Sequence, residues 1–176
     1  EGNREFSKLF DKKSYFSYAK PLSLIRALVE QVATDNDIVL DFFSGSGTTA
    51  QAIIELNAKN KSNLKFVLVQ LPEKFDTKSQ AYRDGFTTIP EVAEERIRRA
   101  GEAIQKEHSD ANIDTGFKVY KLQKSTIKQW DENPENFEAQ LELIHSPFTQ
   151  DSTNDQRAEE IAIKSGIDLE TSPEVD

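Results

Sequence analysis

One stretch constrains this chain more than any other: Ile38-Val39-Leu40 runs into Asp41-Phe42-Phe43-Ser44-Gly45-Ser46-Gly47-Thr48-Thr49-Ala50. A β-branched apolar run, a glycine turn and a helix-forming segment predict a buried strand that turns directly into a helix. Glycines there let the backbone come close to a ligand, because no Cβ stands in the way and positive φ is allowed. The new helix start adds N–H groups without intrahelical partners. On spacing alone, Gly45-x-Gly47-x-x-Ala50 also satisfies the dinucleotide fingerprint, which seats a pyrophosphate on the helix N-terminus. Spacing therefore leaves two classes of ligand open.

Asp41 separates them, since it stands where the strand ends and would point at whatever the turn holds. Two unit charges about 4 Å apart at an effective dielectric of ~20 interact by roughly 4 kcal/mol, so a carboxylate here disfavours phosphate and favours an amine or a sulfonium. S-adenosylmethionine carries both. The competing reading makes Asp41 a turn or helix-capping residue only.

The order of elements around this turn is α/β. Pro21 opens a helix in which Leu22, Ile25, Leu28, Val29 and Val32 recur at helical spacing. Asp35-Asn36-Asp37 turns into the strand Ile38 to Phe42. The next helix carries Ala50, Ile53, Ile54 and Ala58 on one face and ends at Asn60-Lys61-Ser62-Asn63. Leu64 to Leu71 is a second apolar run, completing a βαβ unit with parallel strands and a right-handed crossover. Asp76 to Gly85 reads as an irregular or partly helical connection. Pro90 starts a long helix with the stripe Ala93, Ile97, Ala100 and Ile104, while Arg96, Arg98 and Arg99 read as a solvated face rather than a phosphate contact. Phe117 to Leu122 is expected as a short strand. Two further helices are expected over Phe137–His145 and Asp155–Ser165, the second stopped by Gly166.

At 176 residues, one domain with an appendage is expected. Residues 1–15 read as an arm, 16–124 as the ligand-binding part and 125–176 as an acidic, mainly helical extension. That extension holds thirteen acidic residues from Asp131 onward against Arg157 and Lys164, a net −11 of the whole chain's −9, so the first 130 residues carry +2. Nucleic-acid contact is permitted by this balance, but no basic stripe announces it. Cysteine is absent, and His108 and His145 lack ligand spacing, so both read as surface or packing residues. No apolar run approaches the ~20 residues of a membrane span, and a cytoplasmic setting is expected. Without any methionine, the chain is expected to begin inside a longer protein.

Phe16-Ser17-Tyr18-Ala19-Lys20-Pro21-Leu22, followed by the Asp41–Thr49 motif, resembles the joined Lys-Pro and Phe-x-Gly-x-Gly motifs of amino-group DNA methyltransferases. The modification subunits of type III restriction-modification systems are the nearest in pattern. Phe66 to Glu73, Thr115 to Leu122 and Ile161 to Gly166 also resemble segments of that subunit, so the likeness runs from about Phe16 to Leu169. The resemblance implies a partial Rossmann-like S-adenosylmethionine-dependent methyltransferase fold, a mostly parallel sheet flanked by helices. It implies that Asp41, Phe42, the backbone at Phe43, Gly45, Gly47 and Thr48 surround the methionine portion of S-adenosylmethionine. Lys20 and Pro21 lie in the second cofactor motif, and either Gln70 or Glu73 takes the ribose hydroxyls. A zwitterionic amino acid needs one anionic and one cationic or N–H partner, which Asp41, Lys20 and the helix start supply. Lys20 also reads as an ordinary exposed lysine before a helix.

Members of the family carry an Asp/Asn/Ser-Pro-Pro-aromatic tetrapeptide that receives the extruded base. No Pro-Pro pair exists in this chain; Asn133-Pro134-Glu135 and Ser146-Pro147-Phe148 read as turns. The expectation is a cofactor-side portion of a DNA adenine methyltransferase that is catalytically incomplete alone, its catalytic motif lying upstream. Expected partners are double-stranded DNA, a restriction subunit and a second modification subunit. A nicotinamide-dinucleotide-binding oxidoreductase domain and a non-catalytic subunit-interaction module, docking through the acidic tail, are the alternatives.

Overall fold

A computed structural model of the chain describes residues 1–108, 113–130, 140–141, 143 and 145–168. It divides into two compact units, Glu1–Phe117 and Lys118–Asp176.

The first unit is built on the βαβ core. Strands β1 (Ile38–Asp41) and β2 (Lys65–Leu68) pair in parallel, with Val39 opposite Phe66 and Asp41 opposite Leu68. Helix α3 (Thr48–Asn60) crosses between them. Its sequence shows one apolar face, yet it is buried nearly all round. Ile53 and Leu56 pack with Val29 of α2 (Leu22–Val32) and with Leu64, while Ala50, Ile54 and Ala58 pack with Ile97 and Ile104 of α5 (Ile89–Glu107). Each large aliphatic side chain buried this way contributes about 1.5–3 kcal/mol. Pro21 is the N-cap of α2, while Thr88 and Glu91 form the capping box that starts α5. The connection between β2 and α5 contains the single turn α4 (Gln80–Arg83) and an antiparallel bridge between Lys74 and Thr88.

Helix α1 (Gly2–Leu9) lies within the segment expected as an arm or connection. Phe6 and Phe10 stack with ring centroids 4.3 Å apart and are fully buried with Val92, within a shell that includes Tyr15, Phe16, Phe75 and Phe86. Eight residues rarely hold a helix in isolation, so this packing supplies its stability. Tyr15 donates to Asp84 at 2.8 Å. Burial, with the bond to Asp84, pushes the Tyr15 phenol from 10.0 up to about 12. A folded-state value raised this way stabilises fully below the unfolded value and is lost as pH rises through about 12. Denaturant midpoints measured from pH 9 upward are therefore expected to fall steeply above pH 10, and less steeply in Tyr15→Phe. Equal slopes for the two proteins would contradict this.

Among the described residues, only one face of the two-stranded sheet is covered. Val39, Phe66 and Leu68 turn toward the helices, whereas Ile38, Leu40, Val67, Val69 and Leu71 are about half exposed or more. Both runs had the near-continuous apolar character of strands buried on two sides. The expected strand at Phe117–Leu122 does not form: Phe117 packs on the core beside Ile97, and Leu122 is fully exposed. Apolar alternation gives a segment strand propensity but not the neighbouring ladder that a strand requires.

In the second unit, Ile127 and Phe148 form an antiparallel bridge, so Ser146-Pro147-Phe148 is extended rather than a turn. Helix α6 (Asn154–Lys164) matches the expected Asp155–Ser165 closely, with Thr153 and Gln156 as its capping box. Its Glu160 accepts from the backbone and hydroxyl of Thr126, each at 2.6 Å. Lys164, Ser125 and Thr126 together hold that carboxyl well below the usual carboxylate range. The helix expected over Phe137–His145 and the turn at Asn133-Pro134 lie mostly or wholly outside the described residues. Among the described residues no helix is long and apolar enough to cross a membrane, and no group of three acidic, histidine or cysteine side chains could hold a metal ion.

Candidate functional site

The carboxyl ends of β1 and β2 and the glycine turn meet at one place. Ser44 donates its N–H to the Val69 carbonyl at 3.2 Å, and Gly47 closes the turn on the Ser44 carbonyl at 2.8 Å. Gly45 and Gly47 take φ of +51° and +73°, a region that side chains with a Cβ rarely enter. Gly47 is pressed on α5 as well, since a Cβ there would lie 3.3 Å from the Cβ and carbonyl oxygen of Ala93. Gly45 differs: a Cβ on it would meet only the Phe43 carbonyl oxygen, at 4.0 Å, so the outer surface of the turn is bare backbone.

Asp41 terminates β1 and faces this turn. One carboxylate oxygen accepts from the Thr49 hydroxyl at 2.6 Å and the other from the Phe43 N–H at 3.2 Å. It therefore does act as a turn residue that ties the strand to α3. A carboxylate has about four acceptor positions, so these two neutral donors leave capacity for a third and a fourth. Gln70 joins from just beyond β2, its side-chain oxygen accepting from the Gly45 N–H at 2.9 Å. Phe42 and Phe43 are exposed, with ring centroids 5.1 Å apart. The Thr48 side chain turns inward and is buried. Glu73 is exposed, and its backbone is committed to Ile89 and Leu71 rather than to the turn.

Lys20 and Pro21 are held by α1. A Cβ at Gly2 would collide with the Ala19 carbonyl, so glycine is what lets α1 lie against this segment. Asn3 donates to the Ser17 carbonyl and accepts from the Ala19 N–H, both at 2.7 Å, and Glu5 accepts from the Leu22 N–H at 2.8 Å. Lys20 itself is exposed and forms no hydrogen bond or ion pair among the described residues. The structure thus gathers Asp41, Gly45, Gly47 and Gln70 directly. It does not join Lys20 or Glu73 to them.

The sequence reading misplaced Arg96. It is fully buried, whereas Arg98 pairs with Glu94 and Glu95 on the exposed side and Arg99 covers the Phe10 ring. Arg96 Nη1 donates to the Ser46 hydroxyl at 2.8 Å and the Thr48 hydroxyl at 2.7 Å, and Nε donates to Gln51 at 2.8 Å. Burial lowers its guanidinium to about 10, an effect that Glu5 and Glu55 oppose, so it stays charged at neutral pH. Spacing held the missing signal: position 96 lies three after Ala93 and four before Ala100, inside the buried stripe.

Residues 2–75, which contain α1, Lys20-Pro21 and the whole glycine turn, match the DNA methylase family. The chain is 41% identical over 119 residues to the Mod subunit of the type III restriction-modification enzyme EcoP15I of Escherichia coli. Over residues 2–75 the chain is similar to DNA methylases. The StyLTI Mod subunit of Salmonella typhimurium is 33% identical over 132 residues, and the EcoPI Mod subunit of Escherichia phage P1 is 34% identical over 139. These matches take in 67%, 75% and 78% of this chain but only 17%, 20% and 20% of those subunits. The chain spans about a fifth of the length of the Mod subunits it matches. The match also reaches α1, the segment read from sequence as an arm.

Proposed function

We propose that this segment is the cofactor side of a DNA adenine methyltransferase of the type III modification class, with S-adenosylmethionine at the Asp41–Gln70 cleft. One observation carries the reading: a bare glycine turn at the carboxyl ends of two parallel strands has a carboxylate at its rim. Ligands of open α/β sheets bind in that crevice. The residues suit an amino-acid-bearing cofactor better than a pyrophosphate, because Asp41 would repel the latter by several kcal/mol, on the order of the 4 kcal/mol for charges ~4 Å apart.

Asp41 holds the amine, the backbone at Phe43, Gly45 and Gly47 and the first turn of α3 face the carboxylate, and Lys20 supplies a mobile cation. Thr48 contributes through its backbone, since its hydroxyl is engaged below. Between the two candidates for the ribose hydroxyls, Gln70 is the one docked on the turn. The cofactor supplies an electrophilic methyl group; this segment binds and orients it, which is a large part of accelerating a two-substrate transfer. The adenine-binding motif lies elsewhere in the longer protein, and the piece alone is expected to methylate nothing. The uncovered sheet face of Ile38, Leu40, Val67 and Val69 is covered there by the remaining layers of a Rossmann-like methyltransferase domain, of which residues 16–124 are a part. Residues 125–176 form the acidic extension, double-stranded DNA and a restriction subunit are partners of the whole enzyme with a second modification subunit, and it works in the cytoplasm.

In the full-length protein, Asp41→Asn is expected to weaken S-adenosylmethionine binding about tenfold or more, equivalent to ~1.4 kcal/mol, as measured by calorimetry. An unchanged affinity would reduce Asp41 to its turn role.

A further inference from the structure

Arg96 is buried beneath the glycine turn with no carboxylate among its hydrogen-bond partners. Its Nη2 is buried and has no hydrogen-bond partner among the described residues, and its guanidinium carbon lies 5.5 Å from the centroid of the Phe6 ring. Desolvating an ion is costly even after relaxation, and well-packed apolar residues often replace buried ions with no loss of stability. Stability alone gives little reason for an arginine between α1, α3 and α5. What an apolar side chain could not do is hold the turn. Nη1 reaches the Ser46 carbonyl at 3.3 Å as well as the two hydroxyls, which themselves lie 3.3 Å apart. The two N–H bonds of Nη1 are shared among these three acceptors, and either hydroxyl can donate to the other. Both side chains are thereby drawn inward.

We propose that Arg96 is a positioning residue for the cofactor: by drawing Ser46 and Thr48 into the protein, it leaves bare backbone facing the ligand and puts a cation under the start of α3. That cation has the same sign as the helix N-terminus, so the two act together on the carboxylate of an amino-acid-bearing ligand. Gln51 fixes the guanidinium, and its own amide donates to Glu55 at 3.0 Å, which pairs with Arg26 at 2.9 Å. The turn is in this way braced through α3 to α2. The inference rests on the reading of the turn as an S-adenosylmethionine cradle.

The test uses the full-length protein and three variants: Arg96→Met, Arg96→Lys and Ser46→Ala. S-adenosylmethionine affinity is measured by calorimetry, DNA affinity by fluorescence anisotropy and melting by calorimetric scan. Arg96→Met is expected to weaken S-adenosylmethionine at least about tenfold with DNA affinity within about threefold, and Arg96→Lys is expected to recover part of the loss. Ser46→Ala should weaken it about threefold in the wild type and far less in the Arg96→Met background, because both belong to one network. Wild-type affinity in a folded Arg96→Met protein would overturn the proposal, as would parallel losses of cofactor and DNA binding. Should Arg96→Met fail to fold, Ser46→Ala decides, and unchanged affinity there counts against the brace. A wild-type protein that binds no S-adenosylmethionine would instead sink the reading of the site, before any variant is compared.

Discussion

Gly47→Val is expected to abolish cofactor binding and to lower stability by about 2–6 kcal/mol, combining the strain of a left-handed non-glycine residue with overpacking. Gly47 has φ +73° and ψ +27°, and an added Cβ would meet α5 at the Ala93 Cβ and carbonyl oxygen, each 3.3 Å away. Neither neighbour is the end of a flexible side chain, so relief requires α3 or α5 to move. The same displacement would carry Ser46 and Thr48 away from Arg96 and Thr49 away from Asp41. Stability is read from chemical denaturation of the full-length protein and binding from calorimetry. Gly45→Ala is the control, since its added methyl meets open space and only the backbone strain remains. Equal effects of the two substitutions would show that packing on α5 does not matter.

Phe6→Ala is the second large effect, expected to cost about 3–5 kcal/mol, the usual range for removing a buried aromatic ring. Phe6 stacks on Phe10, meets Tyr15 and Phe16 edge-on at 5.8 and 5.5 Å, and lies under the Arg96 guanidinium. Its loss removes the packing that holds α1. Gly2, Asn3 and Glu5 then no longer fix residues 17–22, and Lys20-Pro21 loses its mount. Denaturation midpoints and protease sensitivity near Ser17 report the two consequences separately. A loss below about 1 kcal/mol would mean that α1 is an ornament of the fold and not its support.

Much of this was legible in the residues. The βαβ core followed from two β-branched runs and a glycine turn, and α5 from Pro90 and the stripe Ala93, Ile97, Ala100 and Ile104. Helix α1 was not, because Phe6, Leu9 and Phe10 are its few apolar anchors among polar and charged residues and reveal a helix only once the partners Val92 and Phe86 are in place. The Phe117–Leu122 strand failed for want of a ladder. Asp41 and the two glycines stood out by type and position, since few arrangements other than a ligand turn use them together. The inward turn of Thr48 and the burial of Arg96 depend on which face of α5 meets the turn, a tertiary fact. A charged residue inside an apolar stripe was the clue to it.

The charge at the rim of the turn is what the functional reading stands on. Calorimetric titration of the full-length protein with S-adenosylmethionine and, separately, with a nicotinamide dinucleotide tests it most directly. Saturable one-to-one binding of S-adenosylmethionine, weakened about tenfold or more in Asp41→Asn, with no heat from the dinucleotide, is the expected result. Selective binding of the dinucleotide would contradict the assignment of Asp41 and with it the site described above.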